Sequence, residues 1–259
     1  MSTAAGPRRR FLRAIALGLV APAVARAAEA LPSDGDETAR KLVARADEIR
    51  FPRESFQTEI TVTNFSGGEA GELRKFRVLS RGNENTIVLT MEPASERGQA
   101  LLMRGRDLWI FMPSVSQPVR LSLAQRLTGQ VSNGDLARAN FAGDYNPTLI
   151  GSEKLDGVAA HMLDLTAADR GVTYARVKYW VAEKDARPLQ AEFYALSGRL
   201  LKTCRYEQFR ELAGRLRPTR LIMEDALKKG EKSVLEYETM ALRDLPERMF
   251  TREYLRRLN

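Results

Sequence analysis

The chain has 259 residues, 44% of them apolar, enough for a sizeable buried core. It carries 41 basic and 33 acidic residues but a single histidine and a single cysteine, which excludes an intramolecular disulfide, a thiolate metal cluster and a zinc site built from several histidines. A formal charge of +8 points to nucleic acid only until its distribution along the chain is read.

The first predicted element is an export leader. Arg8, Arg9, Arg10 and Arg13 precede an apolar run from Ala14 to Ala25, too short for a bilayer core that takes about 20 apolar residues. Ala25 and Ala27 fill both small positions of an A-x-A cleavage site, so residues 1–27 are expected to be removed and the protein to work outside the cytoplasm. The stretch from Arg8 to Arg13 fits a twin-arginine signal, but Pro7 stands where that motif has a hydroxyl residue, so twin-arginine and Sec export both stay open. Losing those four arginines and Arg26 leaves 36 basic against 33 acidic residues, a charge of +3, and the case for nucleic acid goes with them. No repeat, linker or low-complexity run divides residues 28–259, which read as one domain.

Next comes a helix, capped by Ser33, Asp34, Gly35 and Asp36 and ending before Pro52, with Ala39, Leu42, Val43, Ala46 and Ile49 on one face. Strands follow with period-two patterning: Phe56, Ile60 and Val62, then Phe76 and Val78, then Ile87, Leu89 and Met91 form apolar faces opposite polar ones. From Ala100 to Leu123 the chain is more apolar, and the strand around Trp109 is apolar on both faces, so cover on both sides is expected. Residues 123–146 lose the alternation and read as one or two short helices with a second cap at Ser132 to Asp135. Gly129, Gly134 and Gly143 suggest a mobile lid there. Beyond Gly151 strands resume, with Leu163, Leu165, Val177, Tyr179, Val181, Leu189, Phe193, Leu221 and Met223 as inward positions, and a short helix with Met249, Phe250, Tyr254, Leu255 and Leu258 closes the chain. The class is α+β, mainly antiparallel β.

Catalytic signatures are missing. No G-x-S-x-G, P-loop, dinucleotide fingerprint or H-E-x-x-H occurs, and His161 sits in a strand-like run with no nucleophile motif beside it. Neither an enzyme nor a cofactor nor a metal is expected.

The run from Leu108 to Pro113 followed by Val119, Arg120 and Leu121, the stretch from Leu155 to Val158, the run from Pro188 to Lys202 with Phe193, Tyr194 and Gly198, and the stretch from Phe250 to Leu255 together resemble the LolA-like family of outer-membrane lipoprotein-sorting proteins, in its stand-alone periplasmic branch. The resemblance implies an unclosed β half-barrel of about eleven strands, covered by short helices, with an apolar cavity for acyl chains. It also implies periplasmic carriage of lipid or lipoprotein without covalent chemistry, with an RND-type transporter or an outer-membrane acceptor as partner. The alternative is a regulatory or adaptor module of a membrane transporter or sensor that uses the same half-barrel. Under the first implication the expected cavity lining is Phe56, Ile60, Val62, Phe76, Val78, Ile87, Leu89, Met91, Met103, Leu108, Trp109, Ile110, Met112, Phe141, Leu163, Leu165, Tyr179, Phe193, Leu221 and Met223. Its methionines suit irregular chains, and Arg120 and Arg126 are the expected headgroup contacts at the rim.

Overall fold

The computed structural model describes residues 1–2, 34–115, 117–138 and 140–255. The chain divides into two units, Met1–Leu31 and Pro32–Asn259. All but the first two residues of the expected leader, with Ala25 and Ala27, lie outside the described residues, and every described helix and strand belongs to the second unit.

Helix α1 (Asp34–Arg50) stops where Pro52 forbids continuation and buries Ala39, Val43 and Ala46 completely. Strands β1 (Phe56–Ser66), β2 (Glu69–Arg81), β3 (Asn85–Glu92), β4 (Ala100–Arg104), β5 (Asp107–Phe111) and β6 (Val119–Leu121) form a first meander. A separate hairpin, β7 (Arg126–Thr128) with β8 (Val131–Ser132), leads into the short helices α2 (Asn133–Ala137) and α3 (Phe141–Asp144). A second meander follows: β9 (Tyr145–Leu155), β10 (Val158–Ala167), β11 (Arg176–Ala182), β12 (Pro188–Tyr194), β13 (Leu200–Leu212), β14 (Arg215–Asp225) and β15 (Lys232–Leu242). A 3-10 turn (Glu247–Met249) and α4 (Arg252–Leu255) end the described chain.

Because β1 pairs with β15, the two meanders join through their first and last strands into one antiparallel sheet of 13 strands, with β6 and β9 as its edges. The sheet is an open half-barrel, as the family resemblance implied, with 13 strands where about eleven were expected. The pattern gave no warning of β9. Pro147 and Gly151 interrupt its alternation, and only an edge strand, with one side free of ladder bonds, accommodates them.

The sheet is apolar on both faces over its first half. Its inner face, under α1, α2, α3 and the hairpin, carries the main core, which runs from Phe56, Ile60 and Val62 through Met103 and Leu108 to Leu163, Tyr179, Phe193 and Leu235. On the outer face Leu79, Ile87, Leu102 and Phe111 form a second cluster closed by Leu245, Phe250 and Leu255, with Leu89, Trp109, Met249 and Tyr254 packed against it. The strand around Trp109 thus has apolar contacts on both faces, Leu108 and Ile110 on the inner one and Trp109 and Phe111 on the outer one. The same cluster corrects three expected cavity residues: Ile87, Leu89 and Trp109 face outward, against the C-terminal segment. On β3 the more apolar parity, Ile87 and Leu89, is the outer one, while Thr86, Val88 and Thr90 turn inward.

Candidate functional site

Antiparallel register lines up Val88, Leu101, Ile110 and Val119 as one row across β3, β4, β5 and β6. Alternation then points the whole row to one face. Above it lies a cavity of about 440 Å³, floored also by Phe76 and Met112 and walled by Leu121, Gln125, Arg126, Leu127 and Asn133 from the hairpin side. Arg74 and Glu96 form the opposite wall. Arg74 is committed there: its Nη2 donates to Glu96 Oε1 at 2.9 Å and to Glu72 Oε1 at 2.8 Å. Burial alone would weaken its charged form, but these two carboxylates more than compensate and hold its pKa above the ordinary value. The Arg126 guanidinium, in contrast, is exposed at the mouth and makes no side-chain hydrogen bond or close ion pair among the described residues, its nearest acid being Asp225, whose carboxyl its charge helps to hold ionised.

Beyond the hairpin is a second recess of about 310 Å³, bordered by Arg126, Gln130, Tyr174, Arg199, Leu201, Lys202 and Asp225. Polar contacts fasten the hairpin between the two spaces. Lys202 Nζ donates to Asp135 Oδ2 at 2.6 Å and to the Gln130 carbonyl, and Tyr174 donates its hydroxyl to Asp135 at 2.9 Å. Asn64 Nδ2 donates to Thr128 Oγ1 at 2.7 Å, while Ser233 Oγ donates to Asn64 Oδ1 at 2.7 Å and accepts the Gln130 N–H at 2.8 Å. Gly129 sits at φ +49°, and a Cβ there would overlap Asn64 Oδ1 and Ser233 Oγ. At Gly134 a Cβ would overlap the Thr173 side chain. These glycines permit close approach of backbone to side chain, where the pattern had suggested looseness.

The comparisons bear on this fold and cavity together. Residues 82–257 match the model of a family described as "Uncharacterized protein". The chain is 59% identical to a LolA superfamily protein from Nitrosomonas europaea, over 83% of this chain and 98% of that one, with a TM-score of 0.80. The chain belongs to the LolA superfamily. At 22% identity and a TM-score of 0.74 it shares the fold of a DUF1329 family protein from Desulfovibrio piger, covering 86% of this chain and 100% of that one. A putative outer membrane lipoprotein-sorting protein domain from Vibrio parahaemolyticus has the same fold at 18% identity and a TM-score of 0.72, over 85% and 99% of the two chains. No curated protein matches.

In this LolA superfamily member most of the inner face is filled. Arg50, from α1, lies 4.3 Å from the Phe141 ring centroid, and its Nη1 donates to Asp47 Oδ1 at 3.3 Å. Asp47 also accepts the Ala142 N–H at 2.8 Å, yet burial outweighs these partners and pushes its carboxyl up to about 6. Arg138 clamps Asp144 with Nε at 2.5 Å and Nη2 at 2.7 Å and reaches the Gly105 carbonyl at 2.8 Å, tying the helical segment to the β4–β5 turn. Phe141 meets Tyr145, Tyr179 and Phe193 edge-on. The gap left among Arg50, Phe141, Phe193, Leu221 and Met223 holds about 20 Å³.

Phe76, Ile110, Met112 and Arg126 thus border the large cavity. Phe56, Ile60, Val62, Val78, Met103, Leu108, Phe141, Leu163, Leu165, Tyr179, Phe193, Leu221 and Met223 share the inner face but are packed core. Met91 sits at the bulge opposite Lys75 and Phe76 and belongs to neither cluster. Arg120 pairs with Trp109 in register, shares its outward face and is bonded to Asp107, so it is not at the rim of this cavity. The pattern missed Arg74, Val88, Leu101, Gln125 and Asn133. Val88 and Leu101 carried a usable signal, since both alternate with residues the C-terminal segment covers.

His161 Nδ1 lies 3.2 Å from Ser152 Oγ, and among the described residues no carboxylate hydrogen-bonds the ring as an orienting acid would. The described residues assemble no group of three His, Cys, Asp or Glu side chains fit for a metal. Cys204 is fully buried, which pushes its thiol up to about 12. No helix among the described residues is long and apolar enough to cross a membrane.

Proposed function

We propose that this domain carries lipid, or the acyl chains of lipoproteins, through the periplasm once its leader has been removed. The observation that carries the reading is the unfilled space of about 440 Å³ between the row of Val88, Leu101 and Ile110 and the β7–β8 hairpin, bordered by buried apolar side chains that a plain core would have covered. A lipid chain in water loses about 0.8 kcal/mol per exposed methylene, so a carrier has to replace the membrane with a comparable surface. The lipoprotein-sorting domain that shares this fold supports the class of cargo. Titratable groups stand at the walls of the cavity and none on its floor, which suits holding a chain. The hairpin is the cover that moves aside for cargo.

Native mass spectrometry and solvent extraction of the purified protein test this. The expected result is lipid at close to one per protein, restored after delipidation by incubation with phosphatidylglycerol vesicles that also contain palmitate and palmitoyl lysophosphatidylglycerol. Protein that is lipid-free as isolated and takes up nothing from those vesicles would overturn the proposal.

A further inference from the structure

We infer that the cargo is a single-chain anionic amphiphile, with one acyl chain in the cavity under the β7–β8 hairpin and its negative head at Arg126. The inference rests on the carrier reading and specifies its substrate. Volume sets the number of chains. A space of about 440 Å³, with a methylene taken to fill about a water molecule's ~30 Å³ share of the liquid, holds one chain of roughly 15 carbons. A second chain would need as much again, and the neighbouring gap on the inner face offers about 20 Å³ because α1 and Phe141 occupy the rest. The recess of about 310 Å³ beyond the hairpin is bordered by Arg126, Arg199 and Lys202, which suits a charged head far better than a hydrocarbon chain.

Charge selects the head. Arg74, on the far wall, is matched by Glu72 and Glu96, and Lys202 is matched by Asp135 at 2.6 Å. Arg126 borders both spaces without an ion pair, and neither does Arg199 form one among the described residues. The acid beside them, Asp225, accepts the N–H groups of Leu227 and Lys228 at 2.8 and 3.0 Å, and against its partial burial these bonds and the charges of Lys228 and Arg126 hold its carboxyl below the ordinary value, so one acid is shared among Arg126, Arg199 and Lys228 and leaves positive charge unmatched. A guanidinium at the cavity mouth offers two parallel N–H donors to a carboxylate or a phosphate. A free fatty acid and a lysophospholipid share this chemistry of one chain and one anionic oxygen head.

Displacement of a fluorescent fatty acid from the delipidated protein decides the matter, with palmitate, palmitoyl lysophosphatidylglycerol, monopalmitoyl glycerol and dipalmitoyl phosphatidylglycerol as competitors. Both anionic single-chain competitors are expected to bind one to one, about tenfold more tightly than the neutral monoglyceride. The tighter of the two names the source of the head. Arg126→Ala should erase most of that preference and Arg126→Lys restore part of it. Across a fatty acid series affinity should rise about fourfold per methylene and level off near 15 carbons. One-to-one binding of dipalmitoyl phosphatidylglycerol as tight as that of the single-chain lipids, or an anionic preference untouched by Arg126→Ala, would overturn this inference and leave carriage standing. Binding of no competitor, with no lipid in the extract, would overturn the carrier reading itself.

Discussion

Replacing Lys202 by methionine removes the ammonium that holds the hairpin to the sheet while keeping a stem of similar length. The lysine and Asp135 side chains are 4% and 6% exposed, so neither charge is screened by water. Lys202 Nζ donates to Asp135 at 2.6 Å and to the Gln130 carbonyl, and lies 5.1 Å from the Tyr174 ring centroid. In the variant Asp135 keeps the Ser132 N–H at 2.7 Å and the Tyr174 hydroxyl at 2.9 Å but has no counter-charge. Breaking a buried pair from one side costs about 3–5 kcal/mol, and with two donors left the lower end, about 3 kcal/mol, is expected. Urea denaturation of Lys202→Met, Asp135→Asn and the double variant measures this, with a coupling of about 2 kcal/mol because the second change removes the stranded charge. Amide exchange should quicken in residues 126–132 and stay unchanged in β11–β14. A loss under about 1 kcal/mol, or strict additivity of the two changes, would refute the assignment of this pair as the hairpin's anchor.

The two faces of β5 predict opposite phenotypes. Met112→Asp puts a carboxylate beside the cavity floor and should cut lipid uptake at least about tenfold with circular dichroism unchanged, since a buried unpaired charge costs well over 1.4 kcal/mol. Trp109→Ala, on the outer face, should cost about 2 kcal/mol in stability and leave uptake unaltered, and a loss of uptake there would show the faces to be misassigned. Phe250→Ala, at 1% exposure, should cost about 3 kcal/mol by thermal denaturation, because it opens the outer cluster. For Asp47 burial puts the folded-state pKa at about 6, above its ordinary 3.8, so the native state holds the extra proton. Its contribution to stability is complete below about pH 4 and declines as the pH rises through 6, by about 3 kcal/mol in all. Wild type should accordingly lose ground to Asp47→Asn between about pH 4 and pH 7 in denaturant titrations, and a constant difference would show that Arg50 cancels the burial.

Much of the fold was legible because local rules and the tertiary structure agree. Asp34 and Asp36 at its first turn and Pro52 beyond its end bracket α1, and alternation marks the strands from Phe56 onward. What escaped is what alternation cannot carry. Parity shows that Ile87 and Leu89 share a face, but not that a segment more than 150 residues later covers it. Filled core and open cavity have the same apolar signature, so Leu163 and Ile110 looked alike, although α1 and α3 cover the sheet near one and a hairpin covers the other. The hairpin itself has strands of three and two residues, too short to show a period, so its residues look no different from the short helices beside them. Asp47 and Arg50 fall on the buried face of α1, where charge normally signals solvent, and only their partners explain the exception. Arg120 looked like a rim residue because its side of the sheet depends on register with Trp109, which no local pattern reveals.

The unequal cover of the inner face has an energetic consequence for a carrier. Over the second meander α1 inserts Ala39, Val43 and Ala46 into the core, and lifting it would expose that apolar interface at about 25 cal/mol per Å². Over the first meander the hairpin contributes Leu127 and Val131 as apolar contacts and is otherwise fastened through Lys202, Asn64, Thr128 and Ser233. Hydrogen bonds of this kind are worth about 1 kcal/mol each in net terms, because water replaces them on opening. The Lys202–Asp135 pair follows the same rule: the Lys202→Met change strands one buried charge, whereas lifting the hairpin hydrates both. The seam that opens at least cost therefore lies beside the apolar floor. What opening exposes there is the surface an acyl chain then covers, so cargo entry and loss of the hairpin contacts offset each other, and the covering of α1 need not break for a chain to be taken up or released.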